Sequence, residues 1–425
     1  MRTARGMVTA EAPPRANPPR VPAAHVANPT LARALFAMMA GDRAVVVDSP
    51  PGAGKTHLIT NLAQQLHDRA GMTVAIAAQT RAQALDVANR TAETGAAVSL
   101  LVKHKSVRPP GLSPDVTLVS QGRLRPGLGI VVATTARWLW TPTHTFRTDA
   151  LLVDEAYQLT YADLGGLGTL ADQVTLVGDP GQIDPVVTGE TRRWDGWAAG
   201  PHQPAPSALL ASDSDGHVTS LRLPKTWRLG PATTDLIRPL YSIPFESARP
   251  PSHIEDSTGP LPEYWVQHVT VTGGQADPAI ALAAATRVRA LLASGSVHTL
   301  DGARPLTARD VAVVAPHVEQ TTMLAAALAD QPDVFVGTIN QAQGLERHAV
   351  VAVHPLAGYA TVSPFATDLG RTCVALSRHR SHLTVVADDR TSAVLARTLR
   401  DHPEDTATRT QQHLLDTLTN QGARP

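Results

Sequence analysis

The run Ser49-Pro50-Pro51-Gly52-Ala53-Gly54-Lys55-Thr56 constrains this chain more than any other stretch. It follows the apolar segment Ala44-Val45-Val46-Val47-Asp48, which reads as a buried strand. It precedes a segment whose apolar residues Leu58, Ile59, Leu62 and Leu66 fall on one helical face. A strand, a small-residue loop ending Gly-Lys-Thr and a helix form the setting in which such a loop cradles phosphates. The loop containing Gly52 and Gly54 points backbone N–H groups at the anion, and the helix N-terminus adds its dipole. Lys55 supplies a point charge for the β and γ phosphates, and the Thr56 hydroxyl supplies a ligand for Mg²⁺. Ser49 stands where the loop pattern has its first Gly, so the match is one residue short. The alternative is a Gly-rich strand-to-helix turn with no ligand, which leaves Gly-Lys-Thr at a buried strand's end without a purpose.

The length of 425 residues suggests two or three domains, and 43% apolar residues supply their cores. Formal net charge is zero, from 37 basic and 37 acidic residues, so a nucleic-acid partner cannot be argued from overall charge and needs a local basic groove. The single Cys373 rules out an intramolecular disulfide framework and fits a reducing cytoplasm. No apolar run is long enough to span a bilayer and the N-terminus lacks the apolar core of a secretory signal, so a cytoplasmic chain without a membrane partner is expected. Among the 17 His residues, His379 and His382 are close, but no second ligand pair has metal spacing, so no structural zinc is expected.

Residues 1–28, rich in Pro, Arg and Ala, read as a disordered, mildly basic tail. A short helix follows at Leu31–Ala40, then buried-strand signals at Thr73–Ala78, Ile130–Ala133, Leu151–Asp154 and Val174–Gly178, separated by helical segments. This alternation argues a parallel sheet with helices on both faces. Residues 103–128 read as an irregular surface excursion. A second series starts with the N-cap and N1 pair Asp277-Pro278 of a helix running to about Leu292, and continues with strands Val311–Ala315, Val334–Thr338, Val350–Val353 and Leu383–Ala387. Residues 243–262 read as a linker or an irregular edge, the boundary between the halves falls near 225–232, and the tail after Arg400 is polar, with room for one helix. The fold class is therefore α/β, with two sheets in tandem.

Leu151-Leu152-Val153-Asp154-Glu155 is a buried strand ending in two acids. Beside Lys55, Asp154 is suited to hold Mg²⁺ with Thr56, and Glu155 to orient and deprotonate an attacking water. The next strand ends Gly178-Asp179-Pro180-Gly181-Gln182, which places Gln182 at the sheet edge where ligands bind in open α/β folds. Its amide can bond a γ-phosphate; the alternative is a plain Asp-Pro-Gly turn.

At this point the chain resembles superfamily 1 helicases. Gly54-Lys55-Thr56, Asp154-Glu155-Ala156-Tyr157-Gln158 and Gly178-Asp179-Pro180-Gly181-Gln182 look like motifs I, II and III. Leu223-Pro224-Lys225-Thr226-Trp227-Arg228 looks like motif IV, with Trp227 in place of the usual Tyr. Gly337-Thr338 with Gln343-Gly344-Leu345-Glu346 looks like motif V, and Val374-Ala375-Leu376-Ser377-Arg378 like motif VI. The motifs run in order over about residues 30–390, and their forms resemble the up-frameshift-like and viral branch. The family's Gln motif has no clear counterpart; Ala27-Asn28-Pro29-Thr30 occupies that region.

The resemblance implies two RecA-like domains, residues 29–228 and 229–400, followed by a tail at 401–425, with ATP and Mg²⁺ in the cleft between the domains. It implies that Arg228 and Arg378 reach across to the γ-phosphate as arginine fingers, and that Glu346 bonds the ribose. Arg371, two helical turns before Arg378, either supports the same cleft or forms a surface ion pair. Thr80, Thr134, Pro316, Gln320 and Thr338 match nucleic-acid contacts, each Thr being equally readable as an ordinary N-cap. Trp138 and Trp140 are either base-stacking platforms or core. The function implied is an ATP hydrolase acting as a monomeric helicase or translocase on single-stranded nucleic acid, DNA ahead of RNA, moving 5′ to 3′. The alternative is a nucleic-acid-stimulated ATPase that serves as a switch or loader and leaves duplexes intact.

Overall fold

The computed structural model describes residues 28–142, 144 and 146–421. The tail read over residues 1–28 lies outside the described residues except for Asn28. Eight strands form the first large sheet: β1 (Ala44–Asp48), β2 (Val74–Ala78), β3 (Val98–Val102), β4 (Val116–Ser120), β5 (Ile130–Thr134), β6 (Thr148–Asp154), β7 (Ala171–Gly178) and β8 (Val218–Arg222). They lie in the order β4-β3-β5-β2-β6-β7-β1-β8, and every pairing is parallel. The accompanying helices are α1 (Pro29–Ala40), α2 (Lys55–Ala70), α3 (Arg81–Glu93), α4 (Thr135–Leu139), α5 (Tyr161–Leu167) and α6 (Ala205–Ser212). Alternate residues of the central strands enter opposite cores. Val45, Val47, Ile76, Val132 and Leu152 pack on one face, while Val46, Ala75, Val131, Leu151 and Val153 pack on the other. A strand buried on both faces needs an unbroken apolar run, which is what these segments carry.

Three groups of strands complete the chain. A short parallel pair joins β9 (Lys225–Thr226) to β10 (Glu246–Ser247). A four-stranded sheet contains β11 (His253–Asp256), β12 (Gly259–Pro260), β14 (Ser296–Thr299) and β15 (Gly302–Pro305). The second large sheet contains β13 (Tyr264–Val269), β16 (Val311–Ala315), β17 (Phe335–Thr338), β18 (Arg347–Val353) and β19 (His379–Asp388) in the parallel order β13-β19-β18-β16-β17. Its helices are α7 (Pro231–Ile237), α8 (Pro278–Ser294), α9 (Val318–Ala327), α10 (Leu369–Leu376), α11 (Thr391–Asp401) and α12 (Thr406–Gln421). Val311, Val313 and Val351 face one core; Ala312, Val314 and Val350 face the other. Leu221 and Leu223 belong to the first sheet's core and Leu229 to the second's, so the chain changes sheets at β9. Among the described residues no helix is long and apolar enough to cross a membrane.

Three expectations need correction. The irregular stretch read at 103–128 contains β4, which pairs with β3 throughout its length. It is an edge strand, half open to solvent, so its polar residues mask the pattern. The supposed linker 243–262 supplies β10, β11 and β12, strands of two to four residues that are too short for a periodicity. The polar tail carries α12, whose Leu414 and Leu418 are 1% exposed and enter the second sheet's core. Leu414→Ala should therefore destabilise the chain by about 2–5 kcal/mol in a denaturant melt, the usual cost of a buried leucine, instead of leaving stability unchanged as for a solvated tail.

Candidate active site

Register sets the site. Asp48 pairs with Gly178 and Asp154 with Val177, so β1, β7 and β6 end level and their three following loops emerge along one edge. Gly52 and Gly54 both adopt positive φ, at 71° and 90°, a region that costs little only for glycine. Gly54 caps α2 with no side-chain hydrogen bond. The first N–H groups of that 16-residue helix therefore face outward without a side-chain acceptor. Lys55 Nζ lies 3.4 Å from Glu155 Oε1, both well buried. Glu155 itself takes φ 51°, ψ 46°. A left-handed non-glycine is strained, and such strain gathers at functional positions.

Asp154 is 4% exposed and accepts the Glu155 N–H at 3.0 Å. Burial, reinforced by the Glu155 charge and opposed by Lys55, pushes its carboxyl up to about 7. Asp179 is fully buried; burial raises its carboxyl too, against the pull of Lys55. It accepts from Gln182 Nε2 at 2.6 Å, Gly181 N–H at 3.0 Å and Tyr241 Oη at 2.9 Å.

Across from this edge stands the opposite, N-terminal edge of the second sheet. Glu346 and Arg378 immediately precede β18 and β19, and Arg347 N–H donates to Arg378 O at 3.1 Å. Arg378 is 1% exposed; its guanidinium donates to Ser377 Oγ at 2.9 Å. Burial, with Arg228 close by, lowers it to about 10, so it stays charged at neutral pH. Arg228 bonds Glu346 at 3.1 Å and Ser377 O at 3.3 Å, and Glu346 also pairs with Arg380. Burial would raise the Glu346 carboxyl, but the two arginines outweigh it and hold it below its usual range.

One cleft of about 1240 Å³ lies between the edges and is bordered by Gly52, Gly54, Lys55, Thr56, Asp154, Glu155, Gln182, Arg228, Glu346 and Arg378. Ten expected residues thus meet in one place. Arg228 Nε, Arg378 Nε and Gln343 Nε2, all from cleft-lining residues, are buried with no hydrogen-bond partner. Orphaned donors, two of them on guanidinium groups, beside a free helix N-terminus fit a phosphate chain. The Thr56 hydroxyl and the Asp154 carboxylate are the hard oxygen donors that suit Mg²⁺.

Residues 28–194 match one family model and residues 279–390 another, each described as an AAA domain. The chain thus carries two AAA-type domains, one in each half. In structure the chain is similar to the PRRSV helicase, at 17% identity and a TM-score of 0.45, covering 84% of this chain and 54% of that one. It is similar to the arterivirus nonstructural protein 10 helicase, at 17% identity and TM-score 0.44, covering 88% and 63%. For that protein's complex with DNA the values are 18% identity, TM-score 0.43, 82% and 61%. The chain thus spans less than two thirds of the length of these solved helicases. No curated protein matches it.

Several expected roles differ in the structure. Arg228 reaches the seam from the near side, its guanidinium bonding Glu346 and Ser377 O of the far edge. Trp227 N–H donates to Gly52 O at 2.9 Å and Thr226 Oγ1 to Pro51 O at 2.6 Å, which ties the Arg228 segment to the phosphate loop's own side. Among the expected arginine fingers only Arg378 comes from the far edge. Arg371 pairs with Asp368 at 2.8 Å and lies over the Phe365 ring; α10 stops at Leu376, so Arg371 and Arg378 share no helical face. Pro316 is buried, and Gln320 is 3% exposed with its amide spent on Gln275 O and His317 N–H, so neither offers a side chain to a strand. The N-cap reading holds for Thr80 on α3 and Thr134 on α4, and the Thr338 hydroxyl accepts Gln341 N–H in the same way. Trp138 is core, its indole bonded to Ile76 O at 2.9 Å, whereas Trp140 is 80% exposed. Asn28 caps α1 and Thr30 bonds Arg222 O, so that region closes a helix against β8. Tyr241, Cys373 and Arg380 were missed: their partners lie far along the chain and no local pattern marks them.

A Cβ on Gly52 would stand 2.3 Å from Arg228 Cβ. Gly52→Ala should displace Arg228 and weaken nucleotide binding at least about tenfold, near 1.4 kcal/mol, in a fluorescent-nucleotide titration. Unchanged affinity would show that this packing does not shape the cleft.

Proposed function

We propose that this chain hydrolyses ATP to move along, or separate, single-stranded nucleic acid, acting as a monomer and on DNA ahead of RNA. The observation supporting this reading is the cleft in which Lys55, Glu155 and Gln182 face Arg378 and Glu346 from a second sheet. In it, Lys55 and the α2 N-terminus receive the β and γ phosphates. Thr56 and Asp154 would hold Mg²⁺, which neutralises phosphate charge when bound. Glu155, freed from Lys55 as phosphate takes its place, orients the water and accepts its proton. Gln182 bonds the γ-phosphate, while Arg378 from the far lobe and Arg228 from the near side stabilise charge on the leaving phosphoryl group. Glu346 accepts from the ribose with the lone pairs its arginines leave. The lobes correspond to residues 29–228 and 229–400, and closing them on nucleotide alternates their grip on a strand. At Thr80, Thr134 and Thr338 that grip comes from neighbouring backbone N–H groups that the caps leave free, since the hydroxyls and the N–H groups they cap are already engaged.

Lys55→Ala, Glu155→Gln and Arg378→Ala should each lower ATP turnover at least ~100-fold, measured by phosphate release with single-stranded DNA and RNA at one fixed salt concentration. Normal turnover in Arg378→Ala would remove the two-lobe mechanism. A fluorescent duplex with a single-stranded tail then separates the readings: stimulated ATPase with an intact duplex identifies a switch or loader in place of a helicase.

A further inference from the structure

Away from the phosphate cradle, His253, Glu255 and His298 gather on the four-stranded sheet β12-β11-β14-β15. Strand register brings them together. His253 pairs directly with His298, and Glu255 pairs with Ser296 one pleat along. Alternate residues of a strand share a face. The residues between, Ile254 and Val297, are 0% and 1% exposed and belong to the second sheet's core. Their burial forces His253, Glu255, Ser296 and His298 onto the outer face, where all four are half-buried.

The two imidazoles lie nearly parallel, 4.8 Å between centroids and 16° apart in plane. Glu255 Oε2 is 3.5 Å from His298 Nε2, and one donor atom from each residue lies within 4.8 Å of the others. The next residue in the same cross-strand row is Ala303 of β15, which adds no bulk. Two imidazole nitrogens and one carboxylate oxygen, with a side open to water, form a three-ligand set that zinc accepts. Imidazole donors favour zinc-type cations over Mg²⁺ or Ca²⁺. Ser296 Oγ lies 3.0 Å from the same His298 Nε2 and 3.4 Å from Glu255 O, so it occupies that nitrogen in the absence of a cation and would yield it on binding.

We propose that His253, Glu255 and His298 bind a zinc ion that pins β14 to β11. The ion would act beside the nucleotide cleft, because Ser252 and Thr299, the immediate neighbours of His253 and His298, both border it. The donors come from two strands far apart in sequence, so linear ligand spacing cannot show them.

Metal-stripped full-length chain, without nucleotide, is titrated with Zn²⁺ by calorimetry and with Co²⁺ by visible absorption. The expected result is a single zinc site that displaces Co²⁺ and its absorption bands. His253→Ala and His298→Ala should each weaken zinc binding about ten- to a hundredfold, with a smaller loss in Glu255→Gln. Thermal melts without metal establish that each variant is folded; should the alanine variants not fold, the near-isosteric Glu255→Gln carries the comparison. Zinc affinity unchanged in the folded variants would assign the binding to other histidines and overturn the proposal. So would a parent chain that binds no zinc, leaving the three residues as a plain ion pair on a sheet face.

Discussion

Unbalanced positive charge at the seam between the two large sheets is the constraint on which the rest depends. Arg378 is 1% exposed yet makes its side-chain hydrogen bond to a neutral hydroxyl, and both it and Arg228 keep a buried Nε without a partner. Leaving a buried charge uncompensated costs on the order of several kcal/mol. The nearby acids do not cancel it. Glu155 is tied to Lys55, Asp179 to Gln182 and Tyr241, and Glu346 is shared between Arg228 and Arg380. The Nε groups of Arg228 and Arg378 therefore lack acceptors, which a polyanion supplies and a neutral ligand does not. Segregation of charge, invisible in a net charge of zero, is what makes the site.

Much of this was legible in the sequence where chemistry sits next to a strand end. Central parallel strands are continuous apolar runs because both faces are buried, and β1, β6 and β7 were readable for that reason. Loops following those strands inherit their position from the register, so Lys55, Glu155 and Gln182 could be placed together from motifs alone. Edges were not legible. β4 is half solvated and β10–β12 are too short to carry a period. Side-chain direction was harder still. Arg228 was expected to act with Arg378, but two hydrogen bonds to the phosphate loop hold its segment on the near side, from which its guanidinium reaches the far edge at Glu346 and Ser377. Gln320, a plausible strand contact on paper, completes the capping of α9. Capping and phosphate binding use the same residue types at the same helix ends, and only the folded environment decides between them.

The seam also carries a connection that no motif announces. Tyr241 Oη bonds Asp179 at 2.9 Å and lies 3.0 Å from Cys373 Sγ, joining the loop after β7 to α10. Gly370, at the start of α10, lies so close to that loop that a Cβ would stand 2.7 Å from Gln182 O. Ile183, one residue beyond Gln182, is buried in the second sheet's core. The segment holding Gln182 is thus packed into the far lobe as firmly as into its own, and α10 runs from that contact to the residue before Ser377-Arg378. A packed core does not deform continuously. Under the proposed function, a displacement of Gln182 would be carried to α10 as a body and on to Arg378, whereas a mobile loop would absorb the change. Tight packing at Gly370, with buried bonds at Asp179, joins the loop that carries Gln182 on the first sheet to the helix that leads to Arg378 on the second.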